Sequence, residues 1–353
     1  MAIPKTQSAF GYEKGTLDLV QFDDEPVQTP GDNELLLKVE AAGLCMSDPH
    51  LIQSGPLVAK VGQEAPPERF VMGHEIAGQV AAVGDNLKND PRYKEGTRFS
   101  MQIAIACGAC ENCRTGIDNQ CSQSAEAYGL NAHGGFQQYL LVKNLRSLLP
   151  IPDNVSYETA AVSTDSVLTP FHAVQKVKNM LNPTSKVLVV GIGGLGINAL
   201  QILNNYGVHI VAVDVKESLK DIALSNGAKE FHTDIFKSSH PLESFDVCFD
   251  FVGMQPTSDI CQKFVKHQGK IVSIGLGRSK FTIYNFHMAR REVQYIFCFG
   301  GTSAEQIEMM KWISLGKLKP HFNVYDFKEL PDYLGKLVMG EIEGRAVFRP
   351  SKL

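Results

Sequence analysis

The rhythm of apolar positions changes near residue 152. Before it, short segments alternate apolar and polar residues between glycine- and proline-rich breaks, as in residues 34–41, 75–83 and 136–142. A period of two predicts strands with one buried face. Many short strands with frequent turn signals predict an irregular antiparallel barrel or sandwich. After residue 152 helical patterns cover residues 156–161 and 168–178, and then the apolar runs become continuous. The stretch SKVLVVGIGGLGINALQILNNYGVHIVAVDV, residues 185–215, reads as strand, glycine turn, helix and second strand. Unbroken Val/Ile strands predict a parallel sheet covered on both faces. Further units follow in FDVCFDFV, a helix around 257–267, KIVSIGLG and EVQYIFCFGG. Together they predict a doubly wound α/β cofactor domain. A helix over 304–315 and a tail ending in EGRAVFRP come last. The expected division is 1–165, a mainly β catalytic domain; 166–299, the cofactor domain; and 300–353, a return to the first domain. FTIYNF at 281–286 alternates, and predicts an edge strand.

Composition narrows the class. At 353 residues the chain exceeds one ordinary core. A net charge of −4 gives no basic footprint for nucleic acid. No apolar run approaches the roughly 18 residues of a membrane span. The opening MAIPKTQSAF has no apolar signal core, so the eight cysteines are expected in a reducing compartment. Ser351, Lys352 and Leu353 spell a tripeptide read by a peroxisomal import receptor, against the alternative of chance at a polar tail. Cytoplasmic and/or peroxisomal residence is the expectation.

Two motifs carry chemistry directly. Gly191, Gly193, Gly194, Leu195 and Gly196 form G-x-G-x-x-G between a strand and a helix, with Asp214 ending the next strand. The first glycine suits a tight turn, the second a close approach of backbone to a pyrophosphate, the third helix–strand packing. The helix N-terminus offers free N–H groups to the phosphates. Asp214 binds ribose hydroxyls and repels a 2′-phosphate, favouring NAD over NADP; Lys216 reads as a solvated surface lysine. The second motif is Cys107, Cys110, Cys113 and Cys121, spaced C-x2-C-x2-C-x7-C. That spacing fits neither common iron–sulfur pattern. Four thiolates close a tetrahedral zinc shell, which holds structure and does no chemistry.

Three further stretches carry scattered metal-competent residues. GLCMSDPH holds Cys45, Ser47, Asp48 and His50; GHEIAGQV holds His74 and Glu75; STDSVLTPFH holds Asp165, Thr169 and His172. Each alone has a plain explanation: a buried thiol, a core histidine, a helix N-cap. Together with the cysteine lobe and the glycine motif, in this order, the chain resembles the zinc-dependent medium-chain alcohol dehydrogenases. Within them it is most similar to the yeast NADH-dependent secondary-alcohol dehydrogenases, or carbonyl reductases.

The resemblance implies a GroES-like catalytic domain, a Rossmann cofactor domain, NAD, two zinc ions per chain, and a homodimer or homotetramer joined through the cofactor-domain sheet edge, a role that the 281–286 segment fits. It makes Cys45 and His74 catalytic zinc ligands. Where many members have a third cysteine, Asp165 stands, and one thiolate plus one carboxylate still neutralise the ion. Glu75 lies close behind the metal and can join it transiently; Asp48 orients His74. Thr169 lies against the nicotinamide, and Arg345 binds the pyrophosphate. Ser47 and His50 relay a proton. Pocket walls come from around Leu57, Ile103 and Leu276. Ile103, in place of a bulky aromatic, implies room for ketones and secondary alcohols. The expected reaction is hydride transfer between NAD(H) and a carbonyl/alcohol pair. Polyol, formaldehyde or other primary-alcohol dehydrogenases on the same scaffold are the alternative, and a non-catalytic NAD-binding relative is the remote one.

Overall fold

A computed structural model describes residues 3–56, 67–124, 126–278 and 280–352. Leu57 and Leu353 lie outside the described residues. The chain divides into two compact units. The first takes residues up to Asp165, then Thr302–Ser314 and the chain from Phe322 onward; the second takes Ser166–Gly301 and Leu315–His321. Residues 300–301 and 315–321, which the expected division had assigned to the first domain, thus belong with the second unit.

The first unit is mainly β. Strand Leu35–Leu44 is its organiser, pairing with Glu75–Val83, Tyr139–Val142 and Arg345–Phe348 in a seven-stranded sheet. Alternation along it buries Leu35, Leu37 and Val39, which meet Phe70, Phe99, Phe136 and Phe348 in one apolar cluster. Burying each such side chain contributes about 1.5–3 kcal/mol. A three-stranded antiparallel sheet of Val20–Pro26, Thr6–Glu13 and Arg69–Val71 completes the unit's strands. Register sets chemistry here. Gly43 pairs with Glu75, and Ala346 pairs with Leu44. Cys45, His74 and Arg345, each one residue beyond these pairs, are therefore brought to the same end of three adjacent strands.

The second unit holds six parallel strands in the order Glu230–His232, His209–Val213, Lys186–Val190, Phe245–Asp250, Val265–Ser273, Gln294–Phe297. This is the doubly wound order, with the switch point beside Lys186–Val190. Val187, Leu188 and Val189 are fully buried, as covering on both faces requires. One expectation fails. Residues 281–284 form no strand, and Asn285–Arg290 is a helix, so the edge strand of the sheet is Gln294–Phe297. Alternation over six residues does not distinguish a strand from an irregular segment whose Phe281 packs on Tyr295 and Phe297, at 6.0 and 6.2 Å between ring centroids.

Candidate active site

Cys107, Cys110, Cys113 and Cys121 converge on one point. Cys107 and Cys113 sulfurs are 3.9 Å apart, as are those of Cys110 and Cys121. These gaps are far too long for a disulfide. They match the spacing of about 3.8 Å between thiolates held tetrahedrally at zinc–sulfur bond length. Backbone N–H groups of Ala109 and Cys110 donate to the Cys107 sulfur, and those of Cys107 and Ser124 to the Cys121 sulfur, at 3.3–3.4 Å. Such donors favour thiolate. The backbone at Cys113, with Ser122, draws the Cys110 thiol down to about 5. Gly108 makes the turn at φ +72°, where a Cβ would meet Arg146 Nε at 2.6 Å.

The second cluster lies wholly in the first unit: Cys45, His74, Glu75 and Asp165. Cys45 and His74 come from strand ends. Asp165 comes from a π-helical turn, Ser163–Val167, set between α-helices Tyr157–Val162 and Leu168–Gln175. Such turns are rare and concentrate at functional sites. The Cys45 sulfur is 3.2 Å from Asp165 Oδ2, and His74 Nε2 is 3.7 Å from it. Tetrahedral donors of this mixed kind lie about 3.5 Å apart, so sulfur, nitrogen and oxygen fit one zinc ion. His74 turns its other nitrogen, Nδ1, to Asp48 Oδ1 at 3.5 Å. Asp48 is fixed in turn by accepting from the Cys45 N–H at 2.8 Å. Burial alone would lower the basicity of His74, but the Asp48 charge and the carboxylate contacts raise it well above its usual range.

Glu75 and Arg345 form a pair against this set. Arg345 donates to Glu75 Oε1 from Nε at 2.8 Å. Its Nη2 reaches Asp165 Oδ2 at 2.8 Å and the Cys45 sulfur at 3.2 Å. Burial pushes the Glu75 carboxyl up to about 7, against the pull of Arg345. Where Glu75 is ionised it cancels Arg345, and the Cys45 and Asp165 anions then match a divalent cation. Arg345, expected at a pyrophosphate, here has three anionic partners within its own unit. The signal that the sequence offered was Gly43, two residues before Cys45. A Cβ there would lie 1.9 Å from Glu75 Oε2, so only glycine admits the buried carboxylate.

Helix Ser47–Ser54 follows Cys45 directly. Ser47 is half-buried, with its Oγ 3.7 Å from the Cys45 sulfur, and His50 is exposed one turn on. The i and i+3 positions share one helix face. Ile103 is half-buried against the apolar cluster of the first unit.

In the second unit the glycine motif joins strand Lys186–Val190 to helix Gly196–Asn204. Gly191 turns at φ +90°, and a Cβ on Gly196 would lie 1.9 Å from the Gly191 carbonyl. Around Gly193 a Cβ would meet nothing within 4 Å, which leaves a backbone cradle open to a phosphate. Gly194 O accepts from Asn198 Nδ2, and Leu195 O from the Ala199 N–H, which opens the helix. Asp214 accepts from the Ile192 and Lys216 N–H groups at 2.8 and 3.0 Å, locking it beside the glycine loop. Thr169 and His172 are buried in Leu168–Gln175; Leu276 is exposed.

A parallel sheet with a phosphate cradle, a Cys–His–Asp cluster and a closed thiolate lobe fit a zinc-type oxidoreductase. Residues 31–153 match the alcohol dehydrogenase GroES-like domain, and residues 194–314 match the zinc-binding dehydrogenase domain. The chain is similar to the acetophenone reductase of Geotrichum candidum, solved in complex with NAD, at 37% identity and a TM-score of 0.90, covering 100% of this chain and 99% of that one. It is 28% identical to an NAD-dependent alcohol dehydrogenase of Sulfolobus acidocaldarius, over 94% of this chain and 96% of that protein. An L-threonine 3-dehydrogenase of Proteus mirabilis is 31% identical over 75% of this chain and 76% of its own length. The chain belongs to the zinc-type medium-chain alcohol dehydrogenase family and is an oxidoreductase.

Proposed function

We propose that this enzyme interconverts ketones and secondary alcohols with NAD(H), on one zinc ion held by Cys45, His74 and Asp165, while a second is held by the four-cysteine lobe. The observation that carries the reading is the mixed S, N, O donor set within the first unit. When bound, zinc supplies Lewis acidity to the carbonyl oxygen and NADH supplies the hydride. The chain does the rest. Asp48 aligns His74, and Arg345 with Glu75 balances the buried charge. Ser47 donates a proton to the developing alkoxide, and His50 restores it from solvent along the same helix face. Asp214 selects NAD, and Gly193 and Gly194 cradle its pyrophosphate.

The preference for ketones draws on the name of the Geotrichum relative and on Ile103. A panel of acetophenone-type ketones, 2-butanol and ethanol tests it. Turnover of the ketone and of 2-butanol above that of ethanol is expected; ethanol far exceeding both contradicts it. Kinship with the yeast carbonyl reductases belongs to the same proposal. Copies of the chain join along the edge strand Gln294–Phe297, where Phe297 and the neighbouring Phe286 and Phe299 are exposed. Light scattering should give a dimer or tetramer, and a monomer contradicts it. Among the described residues no helix is long and apolar enough to cross a membrane. Residence in peroxisomes as well as cytoplasm rests on the tripeptide at 351–353. Ser351 Oγ donates to Glu40 Oε2, so a receptor must first free it. Import of a tagged chain that persists without the tripeptide contradicts this address.

A further inference from the structure

One cluster takes no part in the chemistry above, although the His232 carbonyl accepts from the Asp214 N–H at 3.3 Å. We infer that Glu230, His232 and His240 form a third metal site on the second unit, taking a divalent ion of the nickel, copper or zinc class. The edge strand Glu230–His232 supplies two of the three, which as i and i+2 residues project to the same side. His240 comes from the loop that follows the turn Ile235–Lys237. The neighbouring strand brings His209, whose register partner is Lys186.

Both His232 Nε2 and His240 Nε2 point at one oxygen, Glu230 Oε2, at 3.4 and 3.0 Å. Donor atoms of all three residues lie within 4.8 Å of one another. Nitrogen and oxygen ligands round a tetrahedral ion stand about 3.3 Å apart, so little movement is needed to admit one. His209 Nε2 reaches the other carboxylate oxygen, Oε1, at 3.0 Å, and holds Glu230 from the opposite side. Glu230 and His232 are partly exposed, so an ion has an entry path. Two imidazoles and one carboxylate select first-row transition ions over magnesium or calcium. The set contains no sulfur, unlike both zinc sites.

Lys186 sets the affinity. Its Nζ donates to His240 Nδ1 at 3.3 Å, which fixes the neutral ring with its proton on Nε2. An ion at Nε2 moves that proton to Nδ1, where it meets an ammonium. Lys186 must then swing aside, so the wild-type site is weaker than its donors allow. A side-chain carbonyl at 186 accepts from Nδ1 and supports the ligand.

The test uses the full-length, untagged, zinc-loaded enzyme titrated with Co²⁺ at neutral pH. One further equivalent should bind without thiolate-to-cobalt charge-transfer absorption, which exchange at either cysteine-containing site would produce. Glu230→Gln and His240→Asn should each abolish that equivalent while leaving ketone reduction unchanged. Lys186→Gln should tighten it about tenfold, a gain that misfolding cannot produce. No further equivalent in the wild type or in Lys186→Gln overturns the inference. So does an equivalent that survives in both Glu230→Gln and His240→Asn.

Discussion

Glu75 lies beneath the metal cluster because residue 43 has no side chain. Gly43→Ala should displace the carboxylate, at about 1–3 kcal/mol of overpacking, read as a lower denaturant midpoint. Glu75→Gln keeps the volume but removes the charge facing buried Arg345. It should cost about 2 kcal/mol while the zinc content stays at two per chain. Equal stability of Glu75→Gln and wild type would contradict the charge balance drawn above, and equal stability of Gly43→Ala and wild type the close packing at residue 43. The four lobe cysteines were legible because thiols in such spacing have few other uses, whereas Cys45 and His74, each of which alone reads as a core residue, were legible only through the family resemblance. Asp165 was less so. An aspartate near a helical pattern reads equally as an N-cap, and only the π turn shows it within a helical run. The partners of Arg345 were not legible, since they depend on the register of a strand 300 residues from Cys45.

At the scale of elements, the glycine loop separates two roles that one motif conceals. Gly196→Ala forces a Cβ to 1.9 Å from the Gly191 carbonyl and should lower the unfolding midpoint. Gly193→Ala meets nothing and should fold normally, yet raise KM for NADH by tenfold or more as the methyl enters the phosphate cradle. A lowered midpoint in Gly193→Ala with unchanged KM would contradict that assignment. The parallel strands were legible because burial on both faces leaves continuous apolar runs. FTIYNF was misread because a short alternating run also describes a segment pinned by one aromatic. The Glu230–His232 edge was not read at all. Glu-x-His with a histidine eight residues on is too common a pattern until a strand puts the pair on one side.

For the whole molecule, the first unit carries the candidate metal ligands and the second the nucleotide motif. The cysteine lobe, though chemically closed, sits in the same unit as the catalytic set. Its Asp118 side chain ties the lobe to Ser303, at the start of the helix Ser303–Ser314 that returns to that unit. Cys113→Ser should therefore lose one zinc and lower thermal stability before it changes the ligands of the other ion, as separate metal analysis and unfolding would report. In the proposed reaction Asp165 completes a catalytic zinc site with Cys45 and His74. The most direct test of that role is the rate of NADH oxidation with an acetophenone-type ketone, in zinc-replete wild type and in Asp165→Ala. Turnover by the wild type and a loss on the order of a thousandfold in the variant are expected. Equal rates would contradict it.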